Sequence, residues 1–180
     1  DFHGRVSKAM VPRLIEEVES YDPMFVEEPV RPEQNDALAQ LTDTTVPIAT
    51  GERMFSRRDF KPLFEQGVVD IVQPDPSHAG GITELTAIAD MAEAYDVSLA
   101  PHCPLGPISL AAALQVDTVS QTAVIQESSL GIHYNDDADI PEYLDKAIFE
   151  PTGGFLTIPD EPGLGVSIDE DRVAEAEDPN

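Results

Sequence analysis

Short apolar runs that each stop at a polar residue recur along the chain. They are Met24-Phe25-Val26 before Glu27, Val46-Pro47-Ile48-Ala49 before Thr50-Gly51-Glu52, and Val68-Val69-Asp70-Ile71-Val72 before Gln73-Pro74-Asp75, followed by Val97-Ser98-Leu99-Ala100-Pro101 before His102 and Ala123-Val124-Ile125 before Gln126-Glu127. Runs of this length without regular polar alternation predict five buried strands. Between them the period becomes helical. Met10, Val11, Leu14, Ile15 and Val18 follow Ser7 at helical spacing, with Pro12 tolerable in the first turn. A second helix is expected near Glu33 to Thr42. A third ends at Gln66 with Gly67 as its stop, and because Pro62 fits only a first turn, Asp59 is a better N-cap than Ser56. A fourth follows Gly80-Gly81, with Ile82, Leu85, Ala89 and Ala92 on one face, and a fifth covers about Pro107 to Val116.

Strand and helix in alternation imply a parallel sheet, because a parallel return needs a crossover of about a dozen residues or more. The polar residues choose between an open sheet and a barrel. Asp1, Glu27, Glu52, Asp75, His102 and Glu127 are separated by 26, 25, 23, 27 and 25 positions, about one βα unit per step. Each therefore falls at the C-terminal end of a successive strand, and in a (β/α)₈ barrel those ends surround one mouth. The fold class expected is α/β: a partial (β/α)₈ barrel of the TIM type, about its last six units, over residues 1–131. Asp1-Phe2-His3 reads as the end of a strand entering a loop, with about two strands expected to lie outside this sequence. Residues 132–180, rich in Pro, Gly and acids, read as an appendage packed beside the barrel with a frayed acidic tail; strands are possible in Gly154-Phe155-Leu156-Thr157-Ile158 and near Gly165-Val166-Ser167-Ile168.

Thirty-five acidic residues against ten basic ones give a formal charge of -25, which repels phosphate backbones and anionic lipid surfaces and so disfavours nucleic-acid and membrane partners. Residues 1–130 alone hold 21 acids against 8 bases, so a tail is not the whole explanation, and adaptation to high salt is the favoured one. One cysteine, Cys103, permits no internal disulfide, and no apolar stretch reaches the roughly 20 residues that span a bilayer. A cytoplasmic location is expected.

Asp1, Glu27 and Glu52 offer three carboxylates from neighbouring strand ends with no sulfur or imidazole between them, a ligand set for a hard cation such as Mg²⁺. A single acid at a strand end is as readily a solvated or capping group; three in register argue against that. His102, with Asp75 one strand earlier to orient it, is a candidate general base. His3, two residues after Asp1, points to the same side if the strand continues that far, and could donate a proton. Glu127 ends the last strand and could approach a substrate carboxylate oxygen if it is protonated or shares a strong hydrogen bond; a solvated Glu is the competing reading. Cys103 adjoins His102, but neighbouring strand residues face opposite ways, so a Cys-His dyad is not expected. His78 and His133 read as structural or peripheral, and Arg53, Arg57 and Arg58 receive no role.

With these residues in this order the chain resembles the enolase superfamily, in its mandelate racemase-like branch, over nearly its whole length. Asp1-Phe2-His3-Gly4-Arg5-Val6, Glu27-Glu28-Pro29, Gly51-Glu52-Arg53, Gln73-Pro74-Asp75, Ala100-Pro101-His102-Cys103-Pro104-Leu105-Gly106-Pro107 and Gln126-Glu127-Ser128-Ser129-Leu130-Gly131-Ile132-His133-Tyr134 are similar to the galactonate dehydratases of that branch. The resemblance implies a hydro-lyase that uses Mg²⁺ on Asp1, Glu27 and Glu52 to dehydrate a sugar acid, D-galactonate first, to a 2-keto-3-deoxy acid. His102, supported by Asp75, would take the C2 proton, His3 would protonate the departing 3-hydroxyl, and Glu127 would bond the enediolate. It further implies a small-molecule substrate, a homo-oligomer and a specificity-shaping N-terminal capping domain absent from this sequence; with Asp1 next to a free chain end, the chain by itself is expected neither to hold the metal nor to be active. Gluconate or another aldonate, a racemase or epimerase using the same site, and a non-catalytic acidic cation-binding protein are the alternatives.

Overall fold

The computed structural model of the chain describes residues 1–41, 43–129, 144, 149 and 151–177. In chain order the elements are α1 (Val11–Glu19), β1 (Val26–Glu27), a 3₁₀ helix (Pro32–Gln40), β2 (Ile48–Thr50), α2 (Arg57–Gln66), β3 (Ile71–Val72), α3 (Gly81–Ala94), β4 (Ser98–Leu99), α4 (Pro107–Val119) and α5 (Glu170–Glu177). The four strands pair in sequence order, β1-β2-β3-β4, and every pair is parallel, with Val26 opposite Ile48, Ala49 opposite Ile71 and Ile71 opposite Ser98. Both edges continue the arc. Phe2 N–H donates to the Glu27 carbonyl at 2.9 Å and Gly4 N–H to that of Glu28 at 2.7 Å, while Ala123 forms a parallel bridge with Leu99. The result is part of a barrel wall with its helices outside.

The strands are shorter than the apolar runs that form them, yet the flanking residues Val46, Val69 and Val97 are also buried. Asp70, a charged residue inside one run, accepts the Ile48 N–H at 2.8 Å. The outward side chains join the helices in one core: Val11 and Ile15 of α1, Phe60, Leu63 and Phe64 of α2, and Leu85 and Ile88 of α3 meet Val26, Ile48, Val72 and Leu99. Inward-facing Ala49, Ile71 and Ala100 form a separate small cluster, the interior layer of a barrel wall. The period-2 alternation thus separates two apolar environments, which is why the runs look continuous.

Four expectations need correction. The fifth run forms a single bridge, and Val124 and Ile125 are each 49% exposed, because it lies at the sheet edge. The second helix is 3₁₀ and kinked at Gln34; its single buried residue, Leu38, is too little to impose an α period. The third begins after Ser56, not Asp59. Asp59 Oδ2 accepts the backbone N–H groups of Ser56 and Phe55 at 2.9 and 3.1 Å, so it serves as the acidic third residue of a capping box and satisfies donors a later start would have left free. Pro62 then lies inside the helix and removes one bond, to the Arg58 carbonyl.

The last correction concerns the C-terminal segment. Where two strands were possible, Thr152 and Phe155 close a tight turn and Ile168 bridges Leu144. The acidic tail is helical over Glu170–Glu177, with Asp169 accepting the Arg172 N–H at 3.1 Å, and acids in the first turn suit the helix dipole. Leu144, Phe149, Leu156, Leu164 and Val166 pack against Cys103, Leu110, Ala111 and Leu114, covering α4 from outside. The boundary expected at 131/132, and His133 with it, falls outside the described residues. Among the described residues no helix is long and apolar enough to cross a membrane.

Candidate active site

Because the strands run parallel, their carboxyl ends open on one rim. Asp1, His3, Glu27, Glu52, His102 and Glu127 line a cavity of about 510 Å³ there, with Phe2, Arg5, Pro104 and Ser129 completing its wall. Asp75 stands behind the wall with no solvent exposure. The six predicted strand-end residues and His3 are therefore brought to one place.

The His102–Asp75 pair is the best-defined part. His102 Nδ1 lies 2.8 Å from Asp75 Oδ2, and Asp75 Oδ1 accepts the Ser77 N–H at 2.6 Å. Burial alone would raise the Asp75 carboxyl, but the bonds from His102 and Ser77 outweigh it and hold it below its ordinary range. An ionised carboxylate only accepts, so Nδ1 carries the hydrogen and Nε2 faces the cavity. Burial works against a charged His102, yet the Asp75 bond, with the fields of Glu127 and Glu52, raises its pKa above the ordinary histidine value. Such an imidazole is oriented and made more basic, with its Nε2 3.3 Å from Glu52 Oε2 at the cavity wall.

His3 reaches the site by a different route from the one its spacing suggested. Residues 1–4 form no strand; His3 has a left-handed backbone, φ 53°, and its N–H turns back to Asp1 Oδ1 at 2.5 Å. Its Nδ1 stands 3.0 Å from Asp1 Oδ2 and 3.8 Å from Glu52 Oε1. Glu127 is held by a backbone donor, its Oε2 accepting the Cys103 N–H at 2.9 Å.

The donor set has the chemistry of a divalent-cation site, with carboxylates from three positions around one cavity. Its charge is unbalanced at Glu27, whose carboxyl is held above the usual range by burial first and then by the negative fields of Glu127 and Glu52. A bound cation would relieve that repulsion, so the donor types and charge of the site suit such an ion. As they stand the side chains hold other partners: Asp1 binds His3, and Glu52 binds Arg53 Nε at 3.0 Å and His102 Nε2 at 3.3 Å. Among the described residues no three His, Cys, Asp or Glu side chains share one ion-sized sphere.

Three residues escaped the sequence reading. Arg53, given no role, bonds Glu52 and also the His3 carbonyl, at 3.0 Å. Glu28 is 1% exposed, with Oε1 accepting from Thr50 Oγ1 at 2.5 Å and from Gly51 N–H at 3.2 Å. His78, read as peripheral, places Nδ1 3.0 Å from the Glu52 carbonyl and its ring 6.4 Å from that of His102. The adjacency of Glu28 to Glu27 and of Arg53 to Glu52 was the available signal. Cys103 is 2% exposed among Leu110 and Leu114, and burial pushes its thiol up to about 12; it faces away from the cavity.

Comparison with known proteins adds to this geometry. Residues 1–172 match the family model described as enolase C-terminal domain-like. The chain is 60% identical over 177 residues to a D-galactonate dehydratase of Ralstonia pickettii (strain 12J), covering 97% of this chain and 46% of that protein. It superposes on a solved member of the enolase superfamily from Salmonella Typhimurium with a TM-score of 0.88 at 30% identity, covering 96% of this chain and 43% of that one. It is also similar to a mandelate racemase/muconate lactonizing enzyme from Jannaschia sp. CCS1, with a TM-score of 0.84 at 31% identity over 96% and 43% of the two chains. The chain spans about half the length of the curated relative it matches.

Proposed function

The chain belongs to the enolase C-terminal domain-like family, and from that premise we propose that it is the barrel portion of a Mg²⁺-dependent sugar-acid dehydratase acting first on D-galactonate. The observation that carries the reading is the His102–Asp75 pair, with its Nε2 beside Glu52 at the wall of a cavity that Asp1, Glu27 and Glu52 line. Asp1, Glu27 and Glu52 would hold the cation, which when bound supplies positive charge to the substrate carboxylate and so makes the neighbouring C–H acidic.

His102 Nε2 takes the C2 proton, and Asp75 steadies the imidazolium that forms. His3, on the opposite side of Glu52, gives a proton to the departing 3-hydroxyl. Glu127, fixed by the Cys103 N–H, serves the oxygen on which charge develops only with a proton on its carboxyl, which it then donates as a hydrogen bond. The resulting enol tautomerises to a 2-keto-3-deoxy acid, with net loss of water. With His3 as acid to the leaving hydroxyl the site suits dehydration; racemisation would instead need His3 as a second base aimed at C2. The sugar acid is the small-molecule partner; a homo-oligomeric state and a cytoplasmic location complete the proposal.

The test is formation of 2-keto-3-deoxy acid from D-galactonate and D-gluconate by the full-length protein with Mg²⁺, beside a His102→Asn control. Product from galactonate that vanishes in the control supports the reading. Product from gluconate alone changes the substrate, and product that persists in the control overturns the role of His102.

A further inference from the structure

Glu28 is an unusual residue for its position. It follows a candidate ligand, Glu27, at the end of β1, is 1% exposed, and adopts a left-handed backbone, φ 44°, that a glutamate rarely takes. One carboxylate oxygen is well satisfied by Thr50 Oγ1 and Gly51 N–H. The other, Oε2, has no hydrogen-bond partner, a costly state for a buried charged group. It faces a cation that stops just short: Arg53 Nε is 3.9 Å away.

Arg53 is held short by its other bonds. The same Nε donates to Glu52 Oε1 at 3.0 Å, and Nη2 donates to the His3 carbonyl at 3.0 Å. One guanidinium thus touches Glu52 itself, the residue after Glu27 and the turn that carries Asp1. A cation ligated through Glu52 Oε1 would displace Arg53 Nε from that oxygen, and about one ångström of movement brings the nitrogen within bonding distance of the Glu28 oxygen it faces.

We propose that Glu28 is the alternative seat of the Arg53 guanidinium, receiving it when a divalent cation takes Glu52, and so is a positioning residue for cation binding. The inference rests on the cation site proposed above. Without the Glu28 charge, Arg53 stays on Glu52 and competes with the ion. With it, the charge is handed from one carboxylate to the other, and the buried oxygen is satisfied in the loaded state. Gly51 fits the same design, because its N–H joins the Glu28 carboxylate to the loop carrying Glu52.

The experiment uses Mn²⁺ as the probe, with free Mn²⁺ counted by electron paramagnetic resonance in the full-length protein. Glu28→Gln keeps the shape and an acceptor for Thr50 and Gly51 but removes the charge; it should weaken Mn²⁺ binding about tenfold or more. The double variant Glu28→Gln/Arg53→Met has no guanidinium left to compete and should return to within about threefold of wild type, a recovery that a merely structural role for Glu28 would not give. Should Glu28→Gln fail to fold, the double variant, which buries neither charge, carries the test alone. Unchanged affinity in Glu28→Gln, or a double variant about tenfold weaker than wild type, overturns the proposal. Wild-type protein that binds no Mn²⁺ overturns this inference and the cation site together. Wild-type protein that binds Mn²⁺ but dehydrates no sugar acid overturns only the proposed function.

Discussion

Replacing Asp75 by Asn removes one charge from behind His102 while keeping size and shape. The structure decides which way the new amide must turn. One oxygen of Asp75 accepts a fixed backbone donor, Ser77 N–H, at 2.6 Å, and the other faces His102 Nδ1 at 2.8 Å. An asparagine whose NH₂ faced Ser77 would set two buried donors against each other, a cost of about 1–3 kcal/mol. The imidazole can change tautomer, so the amide oxygen stays with Ser77 and its NH₂ faces Nδ1, which must then accept. The hydrogen moves to Nε2, and the atom aimed at the cavity is no longer a base. A hydrogen bond to a charged partner is worth about 1.5–3 kcal/mol, or roughly ten- to a hundredfold in competent base. Loss of the carboxylate beside the imidazolium adds to this, so kcat should fall by about a hundredfold or more.

The pH profile carries the sign. His102 is active when neutral, and the Asp75 bond raises its pKa; without that bond the residual activity should persist to lower pH, with the acid limb displaced downward. Steady-state kinetics across pH, with circular dichroism to verify the fold, reads both effects. A variant that keeps more than half the wild-type kcat with an unmoved acid limb would refute the pairing argument.

Gly51 has φ 144°, and a Cβ there would lie 2.7 Å from Phe60 Cε1 and 2.9 Å from the Gln73 nitrogen, so Gly51→Ala should cost about 2–4 kcal/mol in urea unfolding; an unchanged midpoint would show that the close approach is dispensable. Cys103, with its thiol near 12, should react with iodoacetamide at about pH 8 roughly a thousandfold more slowly in folded protein than in denaturant, and equal rates would contradict its burial. The net charge of -25 predicts that raising KCl from about 0.1 to 1 M, which shortens the Debye length from about 10 to 3 Å, lifts Tm by about 2–4 °C or more; a flat or falling Tm would remove the high-salt reading of the acidic excess.

The barrel class was legible because its signal is repeated: one apolar run and one polar terminus per βα unit, and Glu27, Glu52, Asp75 and His102 all follow strands the structure pairs in order. What the sequence hid depends on local caps and turns as well as on contacts remote in the chain. Pro62 taken alone points to Asp59 as the cap, whereas the bonds from Ser56 and Phe55 to its carboxylate outweigh a single lost helix bond. His3 was placed by strand alternation, but reaches Glu52 through a left-handed turn that no period predicts. Glu28 and Arg53 carry ordinary surface residue types. Only the folding of β1 beside β2 shows that one is buried and that the other reaches across to His3. Edge exposure at Val124 and Ile125 likewise follows from sheet position, which composition does not encode.

Proton magnetic resonance of the full-length protein with D-galactonate and Mg²⁺ in D₂O tests the central claim most directly. The account predicts a 2-keto-3-deoxy product with solvent deuterium incorporated at C3, formed by wild type and not by His102→Asn. Galactonate that exchanges its C2 hydrogen and returns as a C2 epimer with all hydroxyls retained, or that shows neither exchange nor product, would contradict it.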